Sequence, residues 1–172
     1  MGGVYRAILE MPRTIPAGTM ADLLHPGTEA PDFHGVTQDG RSIRLRDFGG
    51  RHVVLFFYPE DDTPGCTREA CAFRDDLGAF KEAGAEVLGV SVQDATSHRS
   101  FREKYGLTFD LVADPDKRIA GTYNALGLFG VAKRVTYVIG PDRTILAAYR
   151  RVDPGSHSKE ALRILSEMKG AR

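Results

Sequence analysis

Residues 52–71 read HVVLFFYPEDDTPGCTREAC, and the fold turns on how this stretch divides. His52 to Tyr58 is a near-continuous apolar run of strand length, the pattern of a strand covered on both faces. Pro59 ends it. Thr63 followed by Pro64 reads as a helix N-cap and a proline at the first helical position. The segment 64–83 is therefore expected as a helix, stopped by Gly84. A buried strand running through a short loop into a helix is the repeating unit of an α/β fold.

Outward from this unit the pattern continues. Upstream, Asp39-Gly40 is a turn signal between the alternating segments Phe33–Thr37 and Ser42–Leu45, which predicts a hairpin. Downstream, Glu86–Val92 is a second buried strand, Ala95–Tyr105 a helix stopped by Gly106, and Phe109–Val112 a short strand. Asp114 and Pro115 are expected to cap and open another helix. Arg134–Ile139, Pro141-Asp142 and Thr144–Tyr149 predict strand, turn and strand, and Pro154–Met168 a final helix. The expected architecture is an α/β sandwich: a central mixed β-sheet flanked by helices, with an N-terminal β-hairpin. Residues 1–19, rich in Gly, Arg, Pro and Met without a sustained period, are expected as a flexible extension, and 20–172 as the folded domain.

Composition narrows the function classes. Lys plus Arg and Asp plus Glu both number 23, so no net charge attracts nucleic acid or an anionic membrane. No apolar run approaches the roughly 20 residues that span a bilayer. Two cysteines five positions apart are too few for a disulfide-stapled secreted scaffold, and point to redox, catalytic or metal chemistry. A zinc site takes about four ligands, and the five histidines lie at no ligand spacing from the cysteines.

Counting from Thr63, Cys66 falls at the third helical position. A capping box places a glutamate there, because negative charge is favoured beside the unpaired N–H groups at a helix start. A cysteine in that place is favoured as its thiolate, the reactive form. Cys66, Ala70, Phe73, Leu77 and Phe80 share one helical face, so the thiol points inward. A buried cysteine is also often only a small apolar residue. The placement after a buried strand, where α/β proteins hold their sites, and a second cysteine nearby favour chemistry here. In an intact helix Cys66 and Cys71 have Cα atoms about 8.7 Å apart, from standard rise and radius. Disulfides need less than about 7 Å, so if the two cysteines bond, the helix opens locally.

The string Pro59-x-x-x-Thr63-x-x-Cys66 resembles the active-site signature of the peroxiredoxins. The fuller run from Phe57 to Cys71 is similar to their Q-type, or bacterioferritin-comigratory, branch, which has its second cysteine at this spacing. The likeness runs from about residue 26 to the C-terminus through Ala30–Phe33, Leu45–Phe48, Val87–Ser91 and Leu111–Pro115. It implies a thioredoxin-like fold and reduction of hydrogen peroxide or organic hydroperoxides. By the same resemblance Cys66 is the attacking cysteine and Cys71 the resolving one, joined to it as an intramolecular disulfide. Thr63 supports thiolate and peroxide through its hydroxyl, Pro59 shields the pocket, and the backbone N–H groups of Gly65 and Cys66 bind peroxide oxygen. Arg134, opening the late strand 134–139, is the candidate catalytic arginine. The expected reductant is a thioredoxin, with glutaredoxin as an alternative. No metal, flavin or nucleotide is implied, the branch holds monomers and dimers, and the cytoplasm is the expected location.

Two other functions stand beside the peroxidase: a thioredoxin-like disulfide reductase, which normally carries C-x-x-C where four residues intervene here, and a redox sensor read by a partner. The loop Asn124–Ala132 is either a packed connector or an exposed contact element.

Overall fold

The computed structural model describes residues 23–150 and 153–170; the expected extension over residues 1–19 lies outside them. Seven strands form one sheet: β1 His34–Thr37, β2 Ser42–Arg44, β3 His52–Phe57, β4 Ala85–Ser91, β5 Asp110–Ala113, β6 Val135–Ile139 and β7 Ile145–Tyr149. Their order is β2-β1-β5-β4-β3-β6-β7. The inner pairs β3/β4 and β4/β5 are parallel, and the rest are antiparallel, so the sheet is mixed as expected. The helices are α1 Pro64–Asp75, α2 Leu77–Glu82, α3 Ala95–Tyr105, α4 Arg118–Thr122 and α5 Ser156–Gly170.

Period-2 alternation along β3 divides the core. Val53, Leu55 and Phe57 enter one cluster with Tyr123, Tyr137 and Ile139. Val54, Phe56 and Tyr58 enter another with Cys66, Ala70, Phe73 and Phe80 of α1 and α2, and Ala161 and Leu165 of α5. Phe56 stacks on Phe73 with ring centroids 4.3 Å apart. Burying an apolar side chain of this size contributes on the order of 2 kcal/mol, so this pair fixes the inward face of α1 firmly.

The sequence patterns locate nearly every element, and the differences have local causes. The hairpin turns at Gly40 (φ 80°), in the left-handed region that glycine adopts without cost. The helix expected over 64–83 is instead two, broken at Asp76 (φ −92°, ψ 2°). There the Asp76 carboxylate turns to α5, accepting from Ser158 Oγ at 2.9 Å and Lys159 Nζ at 2.8 Å. The helix expected at Asp114-Pro115 begins only at Arg118, because Lys117 is left-handed (φ 63°). Asp114 still caps it from a distance, accepting the N–H groups of Ile119 at 3.0 Å and Ala120 at 2.8 Å. The loop over 124–132 is no packed connector: Leu128 and Phe129 at its tip are 82% and 99% exposed.

Candidate active site

The parallel pair β3/β4 aims the end of β3 at the N-terminus of α1. Thr63 takes the N-cap position with extended backbone (φ −94°, ψ 155°), Pro64 follows at the first helical position, and Cys66 occupies the third. The first hydrogen bond of the helix runs from Thr67 N–H to the Thr63 carbonyl at 2.8 Å. The N–H groups of Gly65 and Cys66 precede it, and helix geometry gives them no carbonyl within α1. Thr63 departs from a simple cap: its hydroxyl donates to the Glu60 carbonyl at 2.9 Å, which closes the loop on itself. Cys66 is buried at the foot of the apolar stripe, as its spacing predicts, and Pro59 and Thr63 are half-buried.

Arg134 reaches this point from the start of β6. Its Nη2 lies 3.5 Å from Cys66 Sγ and its Nη1 3.1 Å from Glu69 Oε1. Gly65 makes room for it: a Cβ there would sit 3.1 Å from Nη2. The structure thus brings Arg134 to Cys66 and Gly65, while Thr63 caps the helix three residues before Cys66 and Pro59 lies in the loop that leads to it. Cys71 stands apart on α1, half-buried, and both cysteines are free thiols.

Glu69 was missed in the sequence, although a carboxylate three residues after the inward-facing Cys66 falls on the same buried stripe. Its side chain is fully buried. Its Oε2 has no hydrogen-bond partner among the described residues, and His157 Nδ1 lies 3.5 Å from it. His157 Nδ1 is also 2.7 Å from Thr136 Oγ1. Burial pushes the Glu69 carboxyl up to about 8, against the opposing pull of Arg134. In the unfolded chain the same carboxyl ionises near 4.5. Between those values the native state keeps a proton that the unfolded state has lost. The associated stability is therefore complete below the lower value and declines as pH rises toward the upper. The urea midpoint is expected to fall across this window, by an amount worth a few kcal/mol. Glu69→Gln should flatten that dependence; denaturation titrations at the two ends of the window check both.

A cysteine in the first turn of a helix on this mixed sheet, faced by a guanidinium, defines a thiol peroxidase of thioredoxin fold. The chain belongs to the AhpC/TSA family, whose model matches residues 26–148. Among its relatives, peroxiredoxin Q of Oryza sativa subsp. japonica, a chloroplastic protein, is 43% identical over 145 residues, covering 83% of this chain and 67% of that one. Peroxidoxin BcpB from Mycobacterium tuberculosis superposes with a TM-score of 0.78 at 33% identity, over 84% of this chain and 97% of the other. A PrxQ variant from Xylella fastidiosa gives 0.80 at 30% identity, over 85% and 98%. The bacterioferritin comigratory protein of Xanthomonas campestris, described for its alkyl peroxide reduction activity, gives 0.75 at 31%, over 81% and 92%. Of the three expected functions, it is the peroxidase that these likenesses support.

Proposed function

We propose that Cys66 is the peroxidatic residue and Cys71 the resolving one within a catalytic domain spanning residues 20–172. The Cys66 thiolate attacks one oxygen of hydrogen peroxide or an organic hydroperoxide in line with the O–O bond. That bond breaks, the sulfur is oxidised to a sulfenic acid, and hydroxide or alkoxide leaves and takes up a proton. The Cys71 thiol then displaces water from the sulfenic acid and forms the disulfide. A thioredoxin-type dithiol returns both cysteines to thiols, with glutaredoxin as the alternative donor, and the chain works as a monomer or weak dimer. The observation that carries this reading is Arg134 Nη2 at 3.5 Å from Cys66 Sγ, at a helix start where N–H groups also converge. Both stabilise negative charge, first on the thiolate and then on the leaving oxygen. Thr63, one turn before Cys66, orients the peroxide, and Pro59 excludes water. Two free thiols fit a reducing compartment such as the cytoplasm. Among the described residues no helix is long and apolar enough to cross a membrane.

Stopped-flow mixing of the reduced protein with stoichiometric hydrogen peroxide, followed by mass spectrometry, tests this. Fast thiol loss ending in a Cys66–Cys71 disulfide is expected; loss no faster than that of free cysteine would overturn it. Cys71→Ser should complete the first oxidation at the parent rate, consume one equivalent of peroxide and then stall with thioredoxin. Continued turnover of that variant would remove Cys71 from the cycle.

A further inference from the structure

The loop from Tyr58 to Asp62 carries Pro59 and delivers Thr63, and it is tied to the side of the molecule away from Arg134. The Pro59 carbonyl accepts from Ser91 Oγ at 3.2 Å and Gln93 Nε2 at 3.3 Å, and Asp61 N–H donates to Gln93 Oε1 at 3.1 Å. The Asp61 side chain turns inward and is only 5% exposed. Its Oδ1 accepts from the Tyr58 hydroxyl at 2.6 Å and its Oδ2 from the Ser97 hydroxyl at 2.7 Å. Burial pushes the Tyr58 hydroxyl well above its ordinary range, so it stays a donor. Two hydroxyl donors thus converge on this carboxylate, and its third partner is His98.

His98, on α3, is fully buried. Nδ1 lies 2.6 Å from Asp61 Oδ2, and Nε2 lies 3.0 Å from the Val112 carbonyl of β5. A carbonyl only accepts, so Nε2 carries a hydrogen. Nδ1 faces a carboxylate that already accepts from two hydroxyls, so it is placed to donate as well. A ring that donates at both nitrogens is the cation that compensates Asp61 in the interior; Tyr58 contributes a neutral ring with its centroid 6.2 Å away. The neighbouring ties of Asp62 to Lys104 and Tyr105 are solvent-exposed and individually weak. Without His98 the interior would hold an uncompensated carboxylate, and Asp61 would swing outward with its loop.

We propose that His98 is a positioning residue for peroxide reduction: protonated on both ring nitrogens, it clamps the Asp61 loop to α3 and β5 and so holds Pro59 and Thr63 over Cys66. This rests on the roles assigned above to Pro59, Thr63 and Cys66. Its effect falls on the attack step. Resolution needs α1 to open at its first turn, and releasing Thr63, its N-cap, does not hinder that opening, so the second step is not slowed.

Nitrogen-15 NMR of the histidine rings in the reduced, full-length protein reads the first half directly. Two ring N–H groups on His98 at neutral pH are expected; a neutral ring overturns the proposal, whatever the enzyme does. The second half is read by stopped flow. His98→Gln should lower the second-order rate of Cys66 oxidation by about tenfold or more without slowing disulfide closure. The double variant Asp61→Asn with His98→Gln removes both charges, keeps the fold if the single change does not, and should show the same split. Parent rates of oxidation, or equal losses in both steps, would show that the pair is only structural. A parent protein whose Cys66 fails to react with peroxide would sink the function itself, an outcome distinct from either.

Discussion

Cys66→Ser should abolish peroxide consumption, with residual turnover indistinguishable from buffer, while the circular dichroism and urea midpoint stay close to those of the parent. The loss is total because no other group can take the sulfur's place. A serine hydroxyl is a far weaker nucleophile at neutral pH than a thiolate, and the group seen beside Cys66 Sγ, Arg134, is a permanent cation that cannot take its proton. Cys71 cannot substitute. It sits half-buried in the second turn of α1, away from both the helix start and the guanidinium. The small effect on stability follows from volume: serine is nearly isosteric, though its hydroxyl must find a partner in a buried position. A xylenol-orange assay of hydrogen peroxide alongside a folding titration checks both parts. Full multi-turnover activity in this variant would end the peroxidase assignment of Cys66.

Arg134→Met should lower the second-order rate of Cys66 oxidation by about 10²–10³-fold, the range found when one preorganised donor is removed from a developing anion. Methionine keeps much of the apolar stem and removes the charge, so packing around the stem changes little. Two consequences then add. The thiolate and the leaving oxygen lose a guanidinium, and Glu69 loses the partner at 3.1 Å that opposes its protonation. Arg134→Lys should recover only part of the rate, because an ammonium cannot face Cys66 Sγ and Glu69 Oε1 with two fixed N–H donors at once. Stopped-flow rates at matched pH for the three proteins decide it; equal rates in all three would remove Arg134 from the chemistry.

Much of this was legible in the sequence because it is local. The strand at 52–58, the N-cap and proline at 63–64, the inward face through Cys66 and Phe73, and the stops at Gly84 and Gly106 all depend on neighbours within a turn or two. Both glycines do take left-handed φ, 72° and 60°. What stayed hidden depends on distant partners. Asp76 breaks the helix because Ser158 and Lys159 lie across from it, 82 and 83 positions later in the chain. Lys117 delays α4 by a left-handed residue that no periodicity signals. Arg134 could be placed only through family likeness, since nothing in the order of residues says that β6 runs beside β3. Glu69 and His98 carry the same lesson from the other side. Each is a charged or titratable residue on an apolar helical face, and that mismatch was the one available sign that a buried partner awaited it.

The break at Asp76 also bears on the electron balance of the cycle. Its clamp to α5 anchors the far end of α1, so under the proposed Cys66–Cys71 resolution the unwinding falls on the first turns. The free energy of that unwinding is withdrawn from the disulfide, which becomes the more oxidising for it. Each 1.4 kcal/mol held in the opened turns raises the reduction potential by about 30 mV. Under that scheme helix rewinding favours the return of electrons from the donor. Substitutions that strengthen the first turn of α1 should make the oxidised enzyme easier to reduce, and those that weaken it should leave the oxidised form to accumulate.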